Sequence, residues 1–530
     1  MSTRFDHLGR VDEILSWRAS REPDSPSVID RFRTWTLQDL DKAASSLARV
    51  FRDLGAEEGS RIGVLSINTG EAIAIYFGSS RAGLIEVACN TRLVPTEIAY
   101  QLNNVRCETI VLSPEYSRLL SDLFAGEHWV KRVIVIPTAG QAVSAADFPL
   151  PAGVHLEIIE DLASLDLEAP STKAGRDDPY IIWFTAGTTG RPKGAVHVHG
   201  SGLKASGSWC DAWQIIMDDV GIVANMYHVA LQATMTGVLA GGASVVMLDE
   251  VFSMDRLLEL IQEHRVTFFP GYSAMFGLID KNPAMLDPYD LSSLRAVGYG
   301  ASPIDPALIR RLMKILPGLR WFNMYGQSEL NTGGTVLSPQ DHPHRLGSIG
   351  LPLNCVDEVA ILDENNQPVA EGTRGELCFR GPCPAVEYWE NPEATAEMQA
   401  GGWHHTGDIA YMDRGYIYLV DRMKDIIIRG GENVYPAEIE AALHSHPAVA
   451  ESAVVGHPDS VMGEVPVAYI VVRPGTTVTV DDLGIHCRKN LAKFKCPVHI
   501  EIIEDFPRNA VGKILKFELR KQAHATLGDR

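Results

Sequence analysis

Short apolar runs alternate along this chain with longer stretches whose apolar residues recur every three or four positions. The runs Arg61–Ser66, Thr109–Ser113, Arg132–Ile136, Tyr180–Trp183 and Ser244–Leu248 are too short for helices and mostly apolar, the pattern of strands buried on both faces. Between and after them, Asp39–Leu54, Glu71–Ala82, Met254–His264 and Pro306–Leu316 have helical spacing or length. Val266–Phe269, stopping at Pro270-Gly271, and Leu294–Gly298 extend the strand series. Val11–Gly55 reads as helices around a short strand at Arg33–Trp35. Such alternation predicts α/β layers with largely parallel sheets. Residues 137–178, rich in Ala, Pro and small polar residues, read as surface loop. From Gly350 the texture changes to short strands with Gly, Asn and Asp turns, Val359–Leu362 and Gly375–Phe379 among them, which predicts a small β subdomain. A composition break at Val420-Asp421-Arg422 precedes a compact α/β piece, so the division expected is 1–420 and 421–530. Neither an internal repeat nor a low-complexity tract interrupts the pattern.

A chain of 530 residues exceeds what one core organises, so several packed subdomains are expected. Its 47 basic and 67 acidic residues give a net charge of −20. That field repels nucleic acid and anionic lipid, and any anionic ligand has to be held by local donors. The eight cysteines are scattered, with no pair at zinc-knuckle spacing, and read as reduced thiols. No run approaches the roughly 18–20 apolar residues of a membrane span. The start of the chain lacks a secretory apolar region and its end is not a peroxisomal address, so the expected location is the cytoplasm.

The chemistry concentrates in Phe184-Thr185-Ala186-Gly187-Thr188-Thr189-Gly190-Arg191-Pro192-Lys193-Gly194, directly after the apolar run at 180–183. Three glycines free the backbone to turn and point N–H groups at an anion; the hydroxyls and Lys193 add donors and a positive charge. This is a polyphosphate-holding composition, but not the Walker pattern, because Gly190 is followed by Arg-Pro-Lys-Gly. An ordinary Gly/Thr surface turn is the plain alternative for any glycine-rich loop.

The run resembles the signature phosphate loop of the adenylate-forming superfamily, which includes acyl-CoA synthetases, adenylation domains of peptide synthetases and beetle luciferases. Ala186 stands where that family usually has Ser, while Thr185, Thr188, Thr189 and Gly190 keep most of the donor set. The resemblance continues through nearly the whole chain. Tyr325-Gly326-Gln327-Ser328-Glu329 is similar to the family's Tyr-Gly-x-Thr-Glu: it implies Tyr325 and Gly326 against adenine, Ser328 at the α-phosphate and Glu329 supporting Mg²⁺. Gly300-Ala301-Ser302-Pro303 occupies the place of Gly-Gly-Ala-Pro, which lines the adenine and acyl pockets. Gly402–Asp408 resembles Gly-Trp-x-x-Thr-Gly-Asp, with Asp408 implied at the ribose hydroxyls. His404 and His405 inside it point apart on a strand, and no third ligand-type residue is in range, so no metal site is read there. Asp421–Asp425 resembles the hinge, with Arg422 at the ribose and Asp421 as the pivot of a small mobile C-terminal α/β domain. Gly431, in the run 430–440, matches the loop that enters the pantetheine tunnel of CoA ligases, and a plain turn before the helix at Pro436 is compatible with the same residues. Pro507–Lys516 is close to the C-terminal Pro-Arg-x-x-x-Gly-Lys-Ile motif, which implies that Lys513 bridges the attacking carboxylate and the α-phosphate.

The resemblance thus implies catalytic roles for Lys513, Glu329, Lys193 and His228. The partners implied are ATP with Mg²⁺, coenzyme A and a small carboxylic acid, with a homodimer allowed and no integral membrane segment. The acid pocket is expected around His228 and Val229–Gln232, with Gly271-Tyr272, Tyr299-Gly300 and the region of Tyr325. His228 reads either as a gate to that pocket or as a core histidine. The expected reaction activates a carboxylic acid, first of all a medium- or long-chain fatty acid, and passes it to CoA. Aryl- or alicyclic-acid ligation, loading of a separate carrier protein, luciferase-type oxygenation and non-catalytic nucleotide binding are the alternatives. An Asp shortly after His228, which a peptide-synthetase domain would use to hold an α-amino group, is missing.

Overall fold

The computed structural model describes residues 5–185, 192–249, 251–271, 273–300, 304–429, 432–508 and 514–528. It divides into two compact units, Met1–Val359 with Phe379–His404, and Ala360–Cys378 with His405–Arg530.

The first unit holds two largely parallel sheets. One, of eight strands, has Pro179–Thr185, Ile85–Ala88, Arg61–Leu65, Thr109–Leu112, Arg132–Val135 and His155–Ile158 in parallel, in that spatial order. Lys193–Val198 and Glu387–Tyr388 add to it antiparallel beyond Pro179–Thr185. The other, of nine strands, centres on Val220–Val223, Phe268–Gly271, Ala296–Gly300 and Arg320–Tyr325 in parallel. These strands have apolar residues on both faces, and Ile62, Ile110, Val111, Val133, Ile134, Val245 and Val297 are all fully buried.

Local chemistry sets the helices. Leu37–Asp53 begins at a capping box in which Thr36 Oγ1 accepts from the Asp39 N–H and the Asp39 carboxylate accepts from the Thr36 N–H. Leu37, Leu40, Ala44, Leu47, Ala48 and Phe51 form its buried stripe, and Arg49 and Asp53 pair on the exposed face. Gly70–Arg81 has no polar face: every residue of it is buried, Arg81 included. That guanidinium is sustained by Asp41 at 2.7 Å, Asp12 at 3.4 Å and the Ser16 hydroxyl at 2.7 Å.

The second unit contains most of a four-stranded sheet ordered Glu358–Leu362, Gly375–Arg380, His404–Asp413, Tyr416–Arg422. Further along, the long hairpin Val449–Asp459 and Gly463–Val472 is buried on both faces by alternation. Val454, Ala468 and Ile470 share a core with Ile439, Leu443 and Leu483 of the helices Pro436–His444 and Val480–Asn490. The intervening Val455, Val467 and Tyr469 pack with Leu519 and Ala523 of Lys516–Leu527.

The predicted alternation is present but incomplete. The strands Ile85–Ala88 and Val220–Val223 and the helices His199–Trp213 and Val229–Gly241 were not predicted, and four further corrections apply. Pro26–Ile29 is an additional strand, paired with Thr34–Thr36 and with Ser244–Met247. Within 137–178, His155–Ile158 completes the eight-stranded sheet as an edge strand; its mixed polarity suits an edge and hides it in a hydrophobic scan. The predicted strand at 266–269 is Phe268–Gly271 and runs through Pro270. It is tolerated because pairing with Val220–Val223 is confined to Phe268, so no ladder bond on that side needs the missing N–H. The strand predicted at 294–298 is Ala296–Gly300. All eight cysteines are free thiols. Among the described residues no helix is long and apolar enough to cross a membrane.

Candidate active site

The strands Pro179–Thr185 and Lys193–Val198 are the two arms that lead into and out of residues 186–191, and they bring Thr185 opposite Lys193. Glu387–Tyr388 pairs with the second arm, Tyr388 facing Ala195. Tyr388 then gathers the chemistry. Its hydroxyl donates to Glu329 Oε1 at 2.9 Å, its ring lies 5.2 Å from Lys193 Nζ, and its oxygen is hydrogen-bonded by the Thr185 side chain. Burial, and then the Glu329 carboxylate, push the Tyr388 phenol far above its ordinary range, so it remains a donor. A hydroxyl, a cation and a carboxylate from three segments thus converge at the mouth of the glycine-rich loop.

Glu329 is delivered by the parallel strand Arg320–Tyr325 and the short turn Ser328–Leu330 that follows. That turn is anchored through its backbone: the Glu329 carbonyl accepts from the Ala385 N–H at 2.7 Å, and the Ser328 carbonyl accepts from His197 Nε2 at 2.7 Å. His197 is fully buried in the second arm, and burial lowers its pKa to about 4. A carbonyl only accepts, so Nε2 carries the proton of this neutral ring. Tyr325, at the strand's end, stacks on Phe379 with centroids 6.3 Å apart and planes 24° apart. Gly326 has no room for a side chain, since a Cβ there would stand 2.8 Å from the Thr332 Cα and 2.9 Å from its carbonyl oxygen. Gly300 ends the adjacent strand in register with Met324, whose carbonyl oxygen would stand 2.0 Å from an added Cβ.

His228 is the N-cap residue of the helix Val229–Gly241, and its carbonyl accepts from the N–H groups of Leu231 and Gln232. Its ring lies 4.9 Å from that of Tyr227. Burial of the ring, with a smaller contribution from Arg92, lowers its pKa to about 4, so it is neutral at physiological pH.

In the second unit Asp408 and Arg422 are cross-strand partners, with Arg422 Nε 2.5 Å from Asp408 Oδ1. The Thr406 hydroxyl donates to the Leu377 carbonyl at 2.7 Å and accepts from the Asp408 N–H at 3.1 Å, which fixes the carboxylate's strand. Asp421 accepts from the Arg422 N–H and, at 2.8 Å, from the Ala437 N–H in the first turn of Pro436–His444. Burial raises the Asp421 pKa, and Lys516 and the two N–H groups oppose that rise. Lys516 itself pairs with Glu440 at 2.9 Å.

The reading of His404-His405 needs a correction. His404 and His405 do alternate in burial along their strand, but Gly375–Arg380 brings Glu376 and Cys378 to His405, so ligand-type neighbours do exist. His405 Nδ1 lies 2.7 Å from Glu376 Oε2 and 3.5 Å from Cys378 Sγ. The first distance is that of a hydrogen bond, and the other Glu376 oxygen accepts from the Gly407 N–H. Tyr388 and His197 also escaped the sequence reading. Their only signals were an aromatic pair at 388–389 and one polar ring in an apolar arm. Thr188, Thr189, Gly190, Ala301, Ser302, Gly431 and Lys513 lie outside the described residues.

The family model "AMP-binding enzyme" matches residues 15–389, and "AMP-binding enzyme C-terminal domain" matches 438–513. A feruloyl-CoA synthase from Amycolatopsis sp is 32% identical over 520 residues, 97% of this chain and 99% of that protein. A fatty acid–[acyl-carrier-protein] ligase from Streptomyces coeruleorubidus is 31% identical over 97% of this chain and 96% of its own length. Among solved structures, a Mycobacterium tuberculosis fatty acyl CoA synthetase is similar with a TM-score of 0.75 at 28% identity, over 98% of this chain and 99% of that one. The chain therefore belongs to the AMP-binding, adenylate-forming enzyme family, in its branch of ATP-dependent, AMP-forming acid–CoA ligases.

Proposed function

We propose that this chain activates a carboxylic acid with an uncharged tail in two steps. A carboxylate oxygen attacks the α-phosphorus of MgATP, the bond to the bridging oxygen breaks, and acyl-adenylate and pyrophosphate result. The sulfur of CoA then attacks the acyl carbon, the acyl–oxygen bond breaks, and AMP leaves with the thioester formed. The convergence of Thr185, Lys193 and Glu329 on Tyr388 carries this reading. It offers a hydroxyl and a cation for phosphate oxygens beside a carboxylate suited to the Mg²⁺ of the substrate. In this reading the residues outside the described ranges complete the set, Thr188, Thr189 and Gly190 at the phosphates, Lys513 at the attacking oxygen and Gly431 along the pantetheine path. Asp408 holds the ribose hydroxyls, Arg422 assists it, and Asp421 is the pivot between the two half-reactions. Tyr325 and Gly326 present a flat face to adenine, with Gly300, Ala301 and Ser302 beside it, and Ser328 contacts the α-phosphate.

The acyl group lies along the start of Val229–Gly241, past His228. That helix is apolar over most of its length and buried from Leu231 to Ala240, and the neutral His228 ring puts no charge at its entrance. A fatty acid fits this description, and an aryl acid is the second reading, favoured by the aromatic ring of Tyr227 beside His228. The similarity to proteins named for feruloyl and for fatty acyl groups supports both classes. Pyrophosphate release with fatty, aryl and alicyclic acids, with and without CoA, tests the proposal. Thioester and AMP formed only with CoA are expected. Pyrophosphate without thioester would redirect the acyl group to a carrier protein, and silence with every acid, MgATP still binding, would favour a nucleotide-binding role.

A further inference from the structure

Glu86 is a carboxyl group in the wrong kind of place for a merely structural residue. It sits in Ile85–Ala88, a strand buried at every position in the middle of the eight-stranded sheet. It has no ion pair among the described residues. Its oxygens receive two long hydrogen bonds, from the Ser79 hydroxyl at 3.3 Å and from Gln232 Nε2 at 3.4 Å. A buried carboxyl this weakly satisfied costs free energy without contributing packing that an apolar residue would not supply better.

What it faces gives the reason. Glu86 and Gln232 line a cavity of about 20 Å³ together with Ser66, Tyr76, Met226 and Tyr227. That volume admits one water-sized group and no more. Met226 and Tyr227 immediately precede His228, and Gln232 lies one helical turn beyond it, its N–H bonded to the His228 carbonyl. The cavity therefore adjoins the element along which the acyl group is placed above. Its wall is mainly apolar, with Val64, Ala72, Ala88 and Met226 contributing, and the Glu86 carboxyl and Gln232 carboxamide are polar groups set into it. A methyl group there would leave the carboxyl and carboxamide with only these long bonds, whereas a hydroxyl would both donate to and accept from them.

We propose that Glu86 and Gln232 form the far end of the acyl pocket and select acids that carry an uncharged hydroxyl remote from the carboxylate. This rests on the placement of the acyl group along Val229–Gly241. Burial raises the Glu86 pKa to about 8, so near neutrality the group is mainly protonated and can donate as well as accept. An acid with a remote cationic group is not what a protonated carboxyl recognises, and a remote carboxylate would meet repulsion whenever Glu86 ionised.

The hydroxyl can belong to an alkyl chain or to an aromatic ring, and two matched pairs separate the sources: decanoate with 10-hydroxydecanoate, and 3-phenylpropanoate with 3-(4-hydroxyphenyl)propanoate. Thioester formation by the full chain is measured as kcat/KM for each, in the parent and in Glu86→Gln, Glu86→Leu and Gln232→Leu. The parent is expected to favour the hydroxylated member of at least one pair by about tenfold or more, the value of one hydrogen bond to a buried partner. Glu86→Leu and Gln232→Leu should erase or invert that ratio, while Glu86→Gln, isosteric with the protonated group, keeps part of it. Because a ratio is read, lower activity towards both members with the ratio retained overturns the proposal. So do equal rates in both parent pairs, which leave the ligase reading standing. Absence of thioester from all four acids and from every acid of the wider panel overturns both.

Discussion

Replacing Tyr388 by Phe removes one oxygen and leaves the ring over Lys193 and the strand pairing to Ala195 in place. The lost oxygen donates to Glu329 at 2.9 Å and is itself bonded by Thr185, so the carboxylate and the hydroxyl lose their common anchor. A hydrogen bond to a charged acceptor in a partly buried site contributes about 1.5–3 kcal/mol. If Glu329 is held in place for MgATP by that bond, most of this amount is lost from the transition state for adenylation. That corresponds to a fall of roughly 10- to 100-fold in kcat/KM for MgATP. The assay is acid-dependent exchange of pyrophosphate into ATP, run over a range of Mg²⁺ concentrations, with the thermal midpoint measured alongside. The loss should be partly recovered at high Mg²⁺, and the conversion of supplied acyl-adenylate and CoA to thioester should change little. Exchange within twofold of the parent at every Mg²⁺ concentration would refute the reasoning, because Tyr388 would then be no more than packing.

Two further outcomes test the roles proposed for Lys513 and Gly431, and two more follow from the geometry. Lys513→Ala should abolish adenylate formation yet still convert supplied acyl-adenylate to thioester, and Gly431→Leu should show the reverse; equal loss of both half-reactions in either variant would remove its assigned role. Asp408→Ala leaves the Arg422 guanidinium without its 2.5 Å partner and should raise KM for ATP at least tenfold with a smaller change in KM for the acid, read from initial rates. The buried His197 has a pKa lowered to about 4 from an ordinary 6.5, so the unfolded chain binds more protons than the folded one between those values. Stability is therefore fully present above pH 6.5 and withdrawn as pH falls towards 4, by an order of about 3 kcal/mol for this ring. Urea titrations across that window should show the decline and a shallower slope in His197→Gln, whereas a slope unchanged by the substitution would contradict it.

The parts of the site legible in sequence are those where chemistry is local. A strand followed by glycines and hydroxyls declares Thr185 to Lys193, and a strand followed by Tyr-Gly declares Tyr325 to Glu329, since both follow strand ends. What joins them was illegible. Tyr388 reaches Glu329 across 59 residues because a two-residue strand adds to the arm carrying Lys193, and nothing near 388 encodes that pairing. His197 is similar, a polar ring whose acceptor is a backbone carbonyl 131 residues away. The environment of His405 was misread for the same reason, its neighbours arriving from an adjacent strand. Glu86 did leave a mark, as one carboxyl in the apolar run Leu84 to Ala88, but a scan for alternation passes over it. Among the elements, amphipathic helices such as Leu37–Asp53 and Met254–Glu263 were predicted, whereas the apolar strand Val220–Val223 and helix Val229–Gly241 were missed for want of a periodic pattern. The edge strand His155–Ile158 was missed because an edge has no need of an apolar one.

The central claim is that a carboxylate oxygen of the acid becomes bonded to the α-phosphorus of ATP. Turnover of an accepted acid labelled with ¹⁸O in its carboxylate, with MgATP and CoA, followed by mass spectrometry of the products, tests it most directly. The account predicts one labelled oxygen in AMP, none in pyrophosphate, and the remaining label in the thioester carbonyl. Label in inorganic phosphate with ADP as the second product, or thioester formed with AMP unlabelled, would contradict it.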